Sequence, residues 1–309
     1  QHIITIINNC TKKDTTVTIK DVNIDMGRDY SAAMEVRGAG DTTLKLEGDN
    51  TLRGGDSYAG LEKDDKFSTG KLTITAEDAN ASLKAYSYSF GAGIGGGNGQ
   101  STSKLEIANG KIYAEGGDHA AGIGGGIGGN GEVTISGGEV DAYGKFNATG
   151  IGGSGIGSGK VTIKNGKVTA KTNGNAAAIG GGTLGSGDVT ILDGTVTTTL
   201  VNNNIPVTGI GGGPFSTKKS TIRILGGVVN AVGARYGSGI GGGNGDAEVE
   251  IGGGAQITAK GGPGGSDYYG DRYGAGAAIG KSGEKGGKAG KAGKEQDVNA
   301  IGAGTVTRI

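Results

Sequence analysis

Tryptophan is absent from this 309-residue chain, and it contains four phenylalanines, two histidines, three prolines and one cysteine. Each shortage removes a class of protein. So few aromatic residues rule out the thick aromatic core common in enzymes of this length. Cys10 alone permits no intrachain disulfide framework and no CxxC metal knuckle. Three prolines exclude collagen, which combines glycine at every third position with abundant proline. No apolar run reaches the ~18 residues that a membrane-spanning helix needs. An excess of one charge is also missing, because 30 Lys and Arg balance 30 Asp and Glu. A general attraction for nucleic acid or for anionic membrane is therefore not expected. His2 and His119 offer no Ser-His-Asp or Cys-His arrangement with spacing support.

Glycine is what the chain has in quantity: 72 residues, roughly three times the usual share. Helix is disfavoured, since interior glycine costs about 1 kcal/mol relative to alanine. The glycines are interspersed with regularly placed aliphatic residues, which is not the pattern of a flexible linker. A Gly/Ala-Ile-Gly unit recurs with its isoleucine at Ile94, Ile123, Ile151, Ile179, Ile210, Ile240 and Ile279, at steps of 29, 28, 28, 31, 30 and 39 residues. A second series runs Leu72-Thr73-Ile74, Leu105-Glu106-Ile107, Val133-Thr134-Ile135, Val161-Thr162-Ile163, Val189-Thr190-Ile191, Ile222-Arg223-Ile224 and Val249-Glu250-Ile251. A third includes Ile112-Tyr113-Ala114, Val140-Asp141-Ala142, Val168-Thr169-Ala170, Val229-Asn230-Ala231 and Ile257-Thr258-Ala259.

Alternation with period two means strands with one buried face. Strands this short are stable only when each pairs with its counterpart in the next repeat. The expected fold is all-β: a single-stranded parallel β-helix, right-handed by the usual crossover preference, with three short strands per rung. Including Val17-Thr18-Ile19 and Leu44-Lys45-Leu46, the first-strand series counts nine rungs, a rod on the order of 43 Å long. The organisation expected is one domain: residues 1–14 as an N-terminal cap, 15–280 as repeats, 281–297 as a solvated Gly/Lys-rich loop and 298–309 as a C-terminal cap. Glycines on either side of each isoleucine, such as Gly93 and Gly95 or Gly122 and Gly124, are expected to face outward and leave one side of the rod as nearly bare backbone. No secretory leader opens the chain, and Gln1 in place of Met is expected of a processed or excised chain.

The stretch from Val17-Thr18-Ile19 through Leu46-Glu47-Gly48-Asp49-Asn50-Thr51-Leu52, followed by Gly54-Gly55, resembles the opening of bacterial parallel β-helix domains that bind cellulose and pectin. The Gly-Ile-Gly-Gly-Gly units resemble repeats of glycine-rich surface proteins of Gram-positive bacteria. The first resemblance covers about a fifth of the chain and the second most of the remainder. The carbohydrate-binding family implies an extracellular location, secreted or on the cell surface, and calcium near an acidic polysaccharide. It supplies no ligand set that maps residue by residue.

Candidate chemistry is read in columns along the second strand of each rung. One outward position runs Lys84, Tyr113, Asp141, Thr169, and the next runs Tyr86, Glu115, Tyr143, Lys171. Tyr86, Tyr113 and Tyr143, with Glu115 and Asp141 among them, are the expected ligand-binding residues: rings on which sugars stack, carboxylates for hydroxyls or a bridging cation. The plainer alternative is that aromatic residues favour strands and shield one another across rungs. The acids Asp21, Asp25, Asp29, Asp41, Asp49, Asp56, Asp64 and Asp65 are a second place for calcium, or caps of local turns. The insertion from Gly264 to Tyr273, with Tyr268 and Tyr269, is either a binding loop or a cover. Glu115 with Asp141 also suits a two-carboxylate polysaccharide hydrolase or lyase. The threonine column Thr134, Thr162, Thr190 suits ice binding but is broken by Glu106, Arg223 and Glu250. The leading expectation is a noncatalytic extracellular module binding polysaccharide or host glycan. A stalk or adhesin with a protein partner on the glycine-rich face is the alternative.

Overall fold

A computed structural model describes residues 3–200, 205–266, 271–285, 292–295, 299–301 and 305–309. Among these the structure is entirely β, and three ten-stranded sheets carry the chain. All pairing within the three sheets is parallel, between each strand and its counterpart one turn later. This is the parallel β-helix with three strands per rung. Ten strands per sheet make nine inter-rung steps.

The first sheet holds the Val-Thr-Ile series, from Thr15–Lys20 to Asn299–Ile301. The second holds strands from Asn23–Asp25 to Thr305–Arg308, and the third those from Ile4–Ile7 to Ile279–Gly280. Register follows the repeat: Val133 lies beside Val161 and Val161 beside Val189, and Ile123 lies beside Ile151 and Ile151 beside Ile179. A slip by one residue would turn every buried side chain of a strand to solvent, so the aliphatic columns fix the stacking. Those columns form one continuous core in which Ile74, Ile107, Ile135, Ile163 and Ile191 are fully buried.

The end strands of the sheets have a neighbour on one side only. Ile4–Ile7 pairs with Met34–Arg37, and Thr305–Arg308 pairs with Gln256–Ala259. Lys281 of the Gly/Lys-rich segment pairs with Asp246 at 3.0 Å and Lys285 with Asp271 at 2.5 Å. Tyr268, Tyr269, Lys288 and Lys291 lie outside the described residues. Tyr273 stacks on the buried Tyr236 with centroids 4.9 Å apart.

The glycine-rich side differs from the bare exterior expected of it. Gly93, Gly95, Gly122, Gly124, Gly150 and Gly152 are all buried. From Leu61–Glu62 onward the strands of the third sheet are only two residues long, as at Ile94–Gly95 and Ile123–Gly124. The chain pinches there, with Ala92 N–H donating to Gly96 O at 2.9 Å and Ala121 N–H to Gly125 O at 3.0 Å. Gly124 takes a φ of +139°, and a Cβ on it would overlap the carbonyl of Gly152 in the next rung. The missing side chains are thus replaced by neighbouring backbone. After each pinch comes a tight turn, such as Gly126–Gly129 (2.8 Å) and Ser154–Gly157 (2.7 Å). The turns bond to one another in a fourth ladder, Ser154 N–H to Gly129 O and Gly182 N–H to Gly157 O, each at 3.0 Å. Their tips carry Ile127, Ile156, Leu184 and Phe215, the last three 65%, 47% and 46% exposed.

Candidate functional site

The second sheet presents the side chains singled out from the sequence. Its strands Ser82–Ser87, Lys111–Asp118, Glu139–Lys145 and Lys167–Thr172 bury Leu83, Ile112, Val140 and Val168 and turn the alternate residues outward. Register places Lys84 beside Tyr113, Tyr113 beside Asp141 and Asp141 beside Thr169. The adjacent column runs Arg53, Tyr86, Glu115, Tyr143, Lys171. Buried glycines of the third sheet let these strands come close: a Cβ on Gly93 would lie 2.6 Å from Glu115 N, and one on Gly122 2.6 Å from Tyr143 N.

Tyr86 and Tyr113 are in ring contact, with centroids 5.5 Å apart and planes tilted by 46°. The Arg53 guanidinium covers the Tyr86 ring at 3.9 Å, a cation–π contact. Tyr113 donates its hydroxyl to Glu115 Oε2 at 2.7 Å. Tyr143 lies one rung beyond Glu115 and shares no ring contact with the other two among the described residues. All five expected residues are half-buried, so neighbouring rungs do shield one another.

Both carboxylates hold a lysine. Lys145 Nζ lies 2.5 Å from Glu115 Oε1, and Lys171 Nζ donates to Asp141 Oδ2 at 2.7 Å. Burial acts to raise the pKa of Glu115, but hydrogen bonds from Lys145 and Tyr113 outweigh it and hold the carboxyl below its ordinary value. Burial pushes the Tyr113 phenol above its ordinary value, and the hydrogen bond and charge of Glu115 add to the shift. Asp141 Oδ1 is enclosed and accepts no hydrogen bond among the described residues.

Beside this pair runs a groove of 410 Å³, bounded by Asp49, Asn80, Ser82, Lys84, Lys111, Tyr113, Glu139 and Asp141. Sequence columns placed Lys84 and Lys171 in line with Tyr113 and Asp141, but did not bring in Lys111, Lys145, Lys167 and Arg53, which complete the surface. The signal was present: Glu115 and Lys145, Asp141 and Lys171, and Glu139 and Lys167 are opposite charges one repeat apart.

The N-terminal aspartates accept from backbone N–H groups, some in the next rung and some in their own turn. Asp21 accepts from Asp49 N–H, Asp41 from Lys71 N–H, and Asp64 from the N–H groups of Lys66 and Phe67. Among the described residues no three His, Cys, Asp or Glu side chains are grouped to hold a metal ion. Comparison of the chain with protein-family models, with curated proteins and with solved structures gives no match.

Proposed function

We propose that this chain is a noncatalytic, extracellular carbohydrate-binding module for adhesion, presenting the outer face of its second sheet to a polysaccharide or host glycan. The observation that carries the reading is the contacting pair Tyr86 and Tyr113 on a rigid sheet, directly beside a groove of 410 Å³. Aromatic faces with hydrogen-bonding groups around them suit sugar rings, which are apolar on one face and hydroxylated at the rim. The electrostatics favour binding over hydrolysis. A glycosidase general acid needs a raised pKa, and Glu115 is shifted the other way. The strongly raised carboxyl, Glu62, is 3% exposed and out of reach of a polymer. The test is affinity electrophoresis in gels of neutral and acidic polysaccharides, with and without calcium. Retardation of the wild type should weaken by about tenfold or more in Tyr86→Ala with Tyr113→Ala. Equal retardation of the two proteins, or none of the wild type, refutes the proposal.

A second reading, a stalk that binds a protein partner, is supported by the apolar ridge of Ile127, Ile156, Leu184 and Phe215 on the glycine-rich side. Exposed apolar side chains repeated on successive turns of one side commonly mark protein contacts. Pull-down from cell-surface extracts distinguishes it: Ile156→Asp with Leu184→Asp should abolish capture and leave glycan retention intact.

A further inference from the structure

Six Asn-Gly pairs punctuate the chain, beginning at Asn98, Asn109, Asn130, Asn165, Asn173 and Asn244. In five of them the asparagine amide or the following glycine N–H is bonded to another part of the structure. Asn98 Nδ2 donates to Ser57 Oγ at 3.5 Å, and Asn109 Nδ2 to Ala76 O at 2.9 Å. Asn130 Oδ1 accepts from Ser158 N–H and Asn173 Oδ1 from Phe146 N–H. Gly131, Gly174 and Gly245 donate their N–H groups to Ser158 O, Thr172 Oγ1 and Gly242 O.

Asn165 is the exception. It is exposed, and its Oδ1 accepts from the N–H of its own Gly166 at 2.7 Å. The corner between the first and second sheets explains why. Lys164 N–H donates to Ile135 O and Lys167 N–H to Gly138 O, both in the preceding rung, so the stack takes the amides on either side and leaves that of Gly166 to the side chain. Gly166 has a φ of +106°, and a Cβ on it would lie 2.8 Å from Gly138 O. The corner therefore demands glycine, whose nitrogen has no side chain to shield it. One rung on, Gly194 N–H donates to Asp193 Oδ1 at the same 2.7 Å, so the shape belongs to the corner and not to one side chain. Cγ of Asn165 is one bond from that Oδ1, which sets the Gly166 nitrogen beside the carbon it would attack, a near-attack arrangement.

We propose that Asn165 is a site of spontaneous covalent modification, passing through a cyclic imide to isoaspartate and aspartate. Gly166 N gives its proton to solvent base and bonds to Asn165 Cγ. The Cγ–Nδ2 bond breaks, and ammonia leaves with a proton taken from water. Water then opens the imide. Attack at the side-chain carbonyl gives aspartate, and attack at the main-chain carbonyl routes the backbone through the side chain as isoaspartate. The sum is one water consumed and one ammonia released. Either product adds a negative charge one rung from Asp193, and isoaspartate lengthens the corner by one carbon. The inference is independent of the polysaccharide reading.

The test is incubation of the full chain in mildly alkaline buffer made with heavy-oxygen water. Peptic digestion in acid follows, then mass spectrometry with fragmentation that distinguishes isoaspartate. Asn165 should take up the label at least about tenfold faster than each of the other five asparagines, chiefly as isoaspartate. In urea the six should converge, since glycine follows every one of them. Asn165→Gln, whose longer side chain cannot close the five-membered ring, should leave that position unlabelled. An Asn165 rate like that of the other five in the folded chain, or the same lead in urea, overturns the assignment.

Discussion

Ala59 N–H donates to Glu62 Oε2 at 3.0 Å, which places a carboxyl side chain where other rungs use a backbone carbonyl. In the next rung Ala92 N–H donates to Gly96 O, and one rung further Ala121 N–H donates to Gly125 O. Leu61–Glu62 pairs in register with Ile94–Gly95, so Glu62 occupies a position that later rungs give to glycine. The substitution is accommodated at an early rung, where the chain runs on through Lys63 rather than into a glycine pinch. The result is a carboxyl that is 3% exposed inside an otherwise repetitive wall.

That burial gives the fold a pH dependence of definite sign. Desolvation raises the Glu62 pKa from 4.5 to about 8, with further upward contributions from Asp64 and Glu35 against the lowering effects of the Ala59 hydrogen bond and Arg37. The native state therefore keeps a proton that the unfolded chain releases. Stability from this group is complete below about pH 4.5 and declines as pH rises toward about 8. The loss across that window is on the order of 4 kcal/mol. Glu62→Gln, which mimics the protonated form, should melt at a nearly constant temperature from pH 5 to 9 and should exceed the wild type at the alkaline end. Parallel melting curves for the two proteins across that range would show that the carboxyl is solvated.

Glycine at Gly124 and glycine at Gly99 are predicted to differ sharply in tolerance. Gly124 combines a φ of +139° with the carbonyl of Gly152 in the space of a Cβ, whereas Gly99 has a φ of +73° and nothing within 4 Å. Gly124→Ala should cost about 3 kcal/mol or more, because strain and backbone overlap add. Gly99→Ala should cost about 1 kcal/mol, the ordinary left-handed penalty. Urea denaturation of the two variants measures the difference, and equal midpoints would contradict the buried packing of the third sheet.

The aliphatic columns should carry far more stability than the ion pairs outside them. Ile151 is fully buried between Ile123 and Ile179, so Ile151→Ala should cost about 2–5 kcal/mol. Lys171 and Asp141 are each about one-third exposed at the side chain, and Lys171→Ala should cost no more than about 1 kcal/mol. Urea midpoints check the order. A larger loss at Lys171 would mean that the outer charges, not the core, hold the rungs together.

The two kinds of column were legible to different degrees. Period-two alternation and a 28–31-residue repeat fix both the inward face and the neighbour of each residue, so Tyr113 beside Asp141 and Glu115 beside Tyr143 could be read directly. The same rule misplaced Gly93 and Gly95, because a strand of two residues has no second face to expose and the next rung fills the space left by hydrogen. Lys145 on Glu115 escaped the column reading, since a long side chain crosses from one column to the next, whereas Arg53 over Tyr86 lies in the column itself, one rung before the first member read from the sequence. Glu62 was hidden for the opposite reason: it breaks the repeat, and a motif search values what recurs.

The bond between Tyr113 and Glu115 makes the phenol a reporter of the site's electrostatics. Burial raises the Tyr113 pKa above its ordinary 10.0, and Glu115 raises it further by accepting the hydroxyl proton and by its charge. In the wild type Tyr113 should thus remain protonated after exposed tyrosines have ionised. Glu115→Gln removes the charge but keeps an acceptor and leaves the burial in place. The Tyr113 pKa should then fall, yet stay above the ordinary value, because desolvation is the largest cause. NMR titration of ring-labelled tyrosine follows this residue separately from the other nine of the ten. Ionisation of Tyr113 together with exposed tyrosines in the wild type would mean that its ring is solvated. A pKa unmoved by Glu115→Gln would mean that the carboxylate, held by Lys145 at 2.5 Å, is already neutralised as seen from the phenol. The expected intermediate value separates the two contributions and tests whether the tyrosine pair is packed as tightly as its geometry indicates.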